Sequence, residues 1–153
     1  MKEINWKHLI FNILLPLVLG SIVGLISKED FNYLETINRH IIIPNIVFPI
    51  VWSVLYVLMG IWSYYYEERH PQDKTTITLY YISLVVNIAF TPILFILHLN
   101  VLALIDVAIL LILITYLFIK SLMNKNKFSY LLVPYVIWLC LALSLMVDIV
   151  ASN

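Results

Sequence analysis

The stretch PNIVFPIVWSVLYVLMGIW, residues 44–62, is apolar enough for lipid, yet it spends two prolines, two tryptophans, a tyrosine and a glycine. Simple aliphatic filler would need none of them. Asn45, Phe48, Trp52, Tyr56 and Met59 recur at spacings of three and four, so on a helix they share one face. Pro44 falls at the expected helix start, where a missing N–H costs little. Pro49, one turn further in, predicts a kink near that end. Trp52 lies about six residues, or ~9 Å, inside the span, deeper than an interfacial tryptophan needs to be. Trp62 and Tyr64 to Tyr66, beside Glu67, read instead as an interfacial belt.

The rest of the chain has the same character. Its 153 residues are 63% hydrophobic and 12% charged, with a mean hydropathy of +0.98. A soluble domain of this size cannot hide so much apolar surface. The expected class is therefore an all-α integral membrane protein, a bundle of five transmembrane helices in one domain covering residues 1–153. Crossing ~30 Å of hydrocarbon takes roughly 20 helical residues. Five runs qualify, about 9–27, 46–66, 77–97, 101–120 and 129–150. The first follows Lys2 and Lys7 but precedes no convincing small-x-small cleavage site, so it reads as a retained span. The loop over about 28–44 is long enough to act as a lid.

Basic residues set the expected orientation. Lys2, Lys7, Arg69, Lys74, Lys120, Lys125 and Lys127 share one side, and only Lys28 and Arg39 lie on the other. This places the N-terminus in the cytoplasm of a multi-pass cell-membrane protein, with the first loop and C-terminus outside. Zero net charge gives no sign of nucleic-acid binding, and the single cysteine, Cys140, excludes an internal disulfide.

Polar and aromatic residues inside the spans mark the candidate site. Tyr80, Ser83, Asn87, Phe90, Thr91 and Leu94 form a stripe on the third span. Asn87, near mid-membrane, must face protein or water, either as interhelical glue or as a ligand contact. Thr91 and Pro92 predict a second local break. Asp106, roughly 8 Å into the fourth span, is a functional candidate by position, although a structural role, hydrated, protonated or hydrogen-bonded to a neighbouring helix, is the reading favoured for it. Asp148 reads as interfacial. On the fifth span Tyr135, Trp138, Ala142 and Leu145 share a face. Trp138 near the bilayer centre needs a partner for its indole N–H or a ligand to stack on, and Ala142 leaves space beside it. Trp52, Phe90, Asp106 and Trp138 all fall in the outer half. If their faces converge they frame a pocket for a flat, conjugated, apolar molecule, with Tyr33 as a lid contact; ordinary aromatic packing is the alternative. Gly20 and Gly24 have GxxxG spacing, suited to close helix approach in the bundle or across a dimer. With three glycines and no HExxH or C-x-x-C motif, the chain offers no phosphate loop and no metal or haem ligand set.

In order along the chain, LGSIVG, PNIVFPIVWSVLYVLMG, NIAFTPILF, LALIDVAIL and LLVPYVIWLCLA resemble the TspO/translocator protein family, the tryptophan-rich sensory proteins also called peripheral-type benzodiazepine receptors. The second stretch is similar to a proline-rich start followed by V-W-x-x-L-Y-x-x-M-G, and the last to L-x-P-Y-x-x-W-x-x-x-A. The resemblance implies a five-helix bundle that often dimerises and binds protoporphyrin IX, related tetrapyrroles, isoquinoline carboxamides or benzodiazepines. It implies a pocket of Tyr33, Asn45, Phe48, Trp52, Asn87, Phe90, Trp138 and Ala142, and no intrinsic cofactor. It further implies light-dependent oxidative breakdown of porphyrin, with the indoles of Trp52 and Trp138 as reacting groups. A carrier or stress sensor that leaves the porphyrin unchanged is the alternative. Three features depart from the family pattern. Phe90 stands for its third-span tryptophan, Met146 for a late fifth-span asparagine, and LMVDIVASN ends the chain without the cholesterol motif of animal members.

Overall fold

A computed structural model describes residues 3–153; Lys2, one of the basic residues weighed for orientation, lies outside them. Helix α1 spans Trp6–Ile26, a 3-10 turn covers Lys28–Asp30, and the short α2 spans Tyr33–Thr36. Then come α3 (Val47–Arg69), α4 (Lys74–Thr91) with a π turn at Pro92–Ile96, and α5 (Asn100–Met123). A 3-10 turn over Ser129–Leu132 leads into α6 (Val133–Ser152). No strand occurs among the described residues. The five long helices are each apolar and long enough to cross a membrane.

The helices outrun the apolar windows at their polar ends, because capping groups lie beyond the hydrocarbon-like sequence. Asn5 caps α1 by accepting from the His8 N–H at 3.2 Å, and its own N–H donates to the Tyr64 hydroxyl at 2.9 Å. Asp73 caps α4 through the Thr76 N–H at 3.1 Å and the Thr76 hydroxyl at 2.7 Å. At α3 the expectation of a kink needs correction. The helix begins at Val47, after a turn in which the Val47 N–H donates to the Pro44 carbonyl at 2.9 Å. Pro49 therefore sits in the first turn, where its missing N–H has no intrahelical acceptor to lose. The break expected around Pro92 takes a definite form, the π turn, closed by the Leu97 N–H donating to the Pro92 carbonyl at 2.9 Å.

Inside lipid, helix pairing rests on close packing and hydrogen bonds rather than on the hydrophobic effect. Helix α1 packs chiefly on α3, and α5 packs on both α4 and α6. Gly60 makes the α1–α3 crossing possible, since a β-carbon there would overlap the backbone of Asn12 and Ile13. Asn12, 1% exposed, is satisfied at that crossing: its amide donates to the His8 carbonyl at 3.0 Å and its oxygen accepts from Ser63 at 2.8 Å.

The reading of Trp62, Tyr64 and Tyr66 as an interfacial belt is overturned. They are 1%, 2% and 1% exposed, whereas Tyr65 is half-buried. The Trp62 indole donates to Ser121 at 3.0 Å, and Ser121 pairs with Ser129 at 2.8 Å. The Tyr66 hydroxyl donates to Asp73 at 2.7 Å and accepts from the Asn124 amide at 2.6 Å. These rings face the bundle because they continue the buried α3 face of Leu55, Tyr56, Met59 and Gly60. Position near a span end fixes depth, not direction.

Candidate functional site: an aromatic cavity between α1, α3 and α4

Helices α1 and α3 touch at Gly60 and separate toward the end of the bundle that carries residues 28–46. The gap between them, backed by α4, is a cavity of about 410 Å³, within the size range of small-ligand sites. Its α3 wall is Phe48, Pro49, Trp52, Ser53 and Tyr56. Phe48, Trp52 and Tyr56 recur every fourth residue and so stack up one side of the helix. The Trp52 and Tyr56 rings stack at 5.8 Å with 28° between planes.

The α1 wall is small and open: Gly20, Ser21, Gly24 and Leu25. A β-carbon on Gly20 would overlap the Tyr56 ring, while one on Gly24 would meet nothing within 4 Å. Gly20 therefore admits the tyrosine at the cavity floor, and Gly24 leaves the void above it. Phe90, Thr91 and Phe95 supply the α4 wall. Phe90 and Phe95 are five residues apart, a spacing that turns the second side chain away on an α-helix. The π turn widens the coil and returns Phe95 to the cavity side, a use of such turns common at functional sites. Phe31 covers the cavity and meets Phe95 edge-on at 4.8 Å, and Lys28 stands at the rim.

Beneath the floor lies a polar chain. The Tyr56 hydroxyl donates to the Asn87 oxygen at 2.8 Å, and the Asn87 amide donates to the Tyr135 hydroxyl. Asn87 is 2% exposed and does not line the cavity. Its amide ties α3, α4 and α6 together, which is the glue role. Trp138 is also held back: its indole meets Phe48 at 5.9 Å and Trp52 at 6.4 Å, both edge-on. Its Nε1 has no hydrogen-bond partner among the described residues. Ala142, one turn along α6, and Asp106 on α5 are 7% and 9% exposed, and neither lines the cavity. Asp106 Oδ2 also lacks a partner there.

The loop over the cavity is fastened at several points. Tyr33 is not a wall residue; its ring stacks on His98 at 4.0 Å and its hydroxyl donates to Asn100 at 3.0 Å. Asp148 accepts from the backbone N–H groups of His40 at 2.6 Å and Ile41 at 2.9 Å. The Asn153 amide donates to the Asn38 carbonyl at 2.7 Å. Asn45 donates to Glu35 at 2.8 Å and borders a minor void with Phe31, Leu34, Phe48 and Phe95.

The structure thus brings Phe48, Trp52 and Phe90 together with Gly20 and Gly24, which the sequence had suggested for helix packing. Tyr33, Asn45, Asn87, Asp106, Trp138 and Ala142 stand outside the lining. Sequence reasoning missed Ser21, Leu25, Lys28, Phe31, Ser53 and Phe95. For Ser21 and Leu25 the open GxxxG face was the available signal. No cluster of three or more metal-ligating side chains occurs among the described residues.

The TspO/MBR family profile matches residues 12–151, from the α1 crossing to the end of α6. The chain belongs to the TspO/MBR family. Comparison with curated proteins finds no match. Membership in the TspO/MBR family supports a membrane-embedded, small-molecule-binding role of the tetrapyrrole type. In this TspO/MBR chain Phe90 faces the cavity from the third span, and among the described residues Trp52 is the only indole on the cavity wall.

Proposed function

We propose that this protein binds protoporphyrin IX or a related tetrapyrrole in the α1–α3–α4 cavity and promotes its light-driven oxidation. The observation that carries the reading is the Trp52 indole on the wall of a cavity lined mainly by aromatic rings and small residues, with Lys28 at its rim. A flat conjugated ring would lie against Trp52 and Phe48, with offset or edge contacts worth about 0.5–1.5 kcal/mol each beyond area burial. The cavity is open on the α1–α3 side, where Leu25 is 73% exposed, so a macrocycle larger than the void can protrude there toward lipid. The N-terminus is assigned to the cytoplasm and the cavity end to the outside. Isoquinoline carboxamides and benzodiazepines, flat and apolar, fit the same walls. A homodimer belongs to this reading, and because Gly20 and Gly24 line the cavity its seam is assigned to other faces.

Porphyrin is its own photosensitiser, and dioxygen is the oxidant. The excited ring passes one electron to dioxygen, and the porphyrin radical cation and superoxide so formed combine into oxygenated product. The protein holds the ring and excludes bulk water. Trp52, with Trp138 edge-on behind it, exchanges an electron reversibly with the radical cation and slows its unproductive collapse. Illuminating the purified protein with protoporphyrin under air and following the Soret band tests this. Trp52→Phe should slow bleaching strongly and Trp138→Phe less so. Bleaching at the wild-type rate in both variants would eliminate the catalytic role.

One observation favours a second reading, a carrier or sensor that leaves its ligand intact. Phe90 keeps a stacking face but has no readily oxidised indole, so among the described residues the cavity wall holds one indole, Trp52, with the Tyr56 phenol committed to Asn87. Saturable dark binding with unchanged absorbance after illumination would select it.

A further inference from the structure

Among the described residues that line the cavity, Lys28 is the only charged one, and no carboxylate shares the lining. Lys28 follows the end of α1 and opens the 3-10 turn Lys28–Asp30. It lies eight positions beyond Gly20 at the floor, so roughly 12 Å of cavity depth lies below it at helical rise. Its neighbours Glu29 and Asp30 do not line the cavity, and no ion pair engages Lys28 among the described residues. An ammonium on a flexible four-carbon stem acts as a movable point charge for an anion. At the rim it keeps that charge near water while its methylenes cover apolar surface. The hydroxyls of the lining, those of Ser21, Ser53, Tyr56 and Thr91, are uncharged, and of these Ser53 already donates to the Pro49 carbonyl and Tyr56 to Asn87.

We propose that Lys28 is a specificity-determining residue that selects ligands carrying a peripheral carboxylate, seating the apolar body between Phe48, Trp52 and Phe90 and leaving the anion at the rim. This rests on the tetrapyrrole reading and names the feature of the ligand that this chain recognises. It separates two otherwise similar molecules: a porphyrin with free propionates and its neutral dimethyl ester. The aromatic walls treat them alike, and Lys28 does not.

The test is a dark titration of the full-length protein in a non-ionic detergent at low salt. Protoporphyrin IX and its dimethyl ester are each followed by Soret absorbance, with empty micelles subtracted. Wild type should prefer the acid about fivefold, the strength of a good solvent-exposed ion pair. Lys28→Gln should remove the preference by weakening acid binding alone, and Lys28→Arg should retain it. The preference should also shrink as salt is raised. Equal wild-type affinity for acid and ester, or an undiminished preference in Lys28→Gln, would overturn the role of Lys28 while leaving the tetrapyrrole reading standing. Failure of both porphyrins to saturate wild type would overturn both.

Discussion

Gly20 of α1 and Tyr56 of α3 are so closely apposed that a β-carbon on the glycine would occupy the space of the tyrosine ring. The same ring stacks on Trp52 and hydrogen-bonds to Asn87, so it cannot yield without disturbing the cavity floor. Gly20→Ala should therefore cost about 1–3 kcal/mol, the usual range for overpacking, and weaken porphyrin binding. Gly24→Ala, in open space, should be close to neutral in both. Thermal unfolding in detergent and porphyrin titration of the pair check the contrast.

Gly60→Ala attacks a different contact. Its β-carbon would meet α1 backbone, which has no side-chain freedom with which to move aside. Helix α1 must shift away from α3, so the loss should equal or exceed that of Gly20→Ala, again about 1–3 kcal/mol or more. Accessibility of cysteines introduced at lipid-facing α1 positions, together with unfolding midpoints, reads this out.

Trp62→Phe separates stability from function. It removes the indole bond to Ser121, a buried interhelical contact worth about 0.6–2 kcal/mol. The cavity is lined elsewhere, so porphyrin affinity should be unchanged. An equal loss of affinity would show that the Trp62 end and the cavity are coupled.

Five spans were legible because hydropathy and length suffice for them, and the Phe48–Trp52–Tyr56 stripe because helical spacing is a local property. The inward direction of Trp62 was not, since both a belt ring and a core ring occur near span ends. The α1 wall was hidden for a related reason: WKHLIFNILLPLVLGSIVGLI carries no continuous polar stripe, and its GxxxG face reads as readily for helix packing as for a cavity. Phe95 was lost because five-residue spacing is meaningless until the π turn is known. The fastening of the first loop by Asp148 and Asn153 joins residues more than 100 positions apart. No local pattern announces it.

Asp73 gives the account its pH dependence at the opposite end of the bundle. Partial burial opposes ionisation, but hydrogen bonds from the Tyr66 hydroxyl and from the Thr76 hydroxyl and N–H outweigh it, holding the carboxyl below its usual range. A depressed folded-state pKa favours the ionised form in the fold. The associated stability is present above the unfolded value of about 3.9 and fades as pH falls through the lower folded value. Unfolding midpoints of wild type and Asp73→Ala should therefore differ at pH 7, by the ~1 kcal/mol typical of a lost cap, and converge toward pH 3. A constant difference across that range would assign the effect to packing alone.

The occupancy of the α1–α3–α4 cavity is tested most directly by a dark protoporphyrin titration of wild type against Gly24→Phe. Open space at Gly24 lets the new ring fold into the cavity without straining the bundle. Wild type should saturate, and Gly24→Phe should bind at least tenfold more weakly with an unchanged unfolding midpoint. Wild-type affinity in a stably folded Gly24→Phe would place the ligand elsewhere and contradict the assignment.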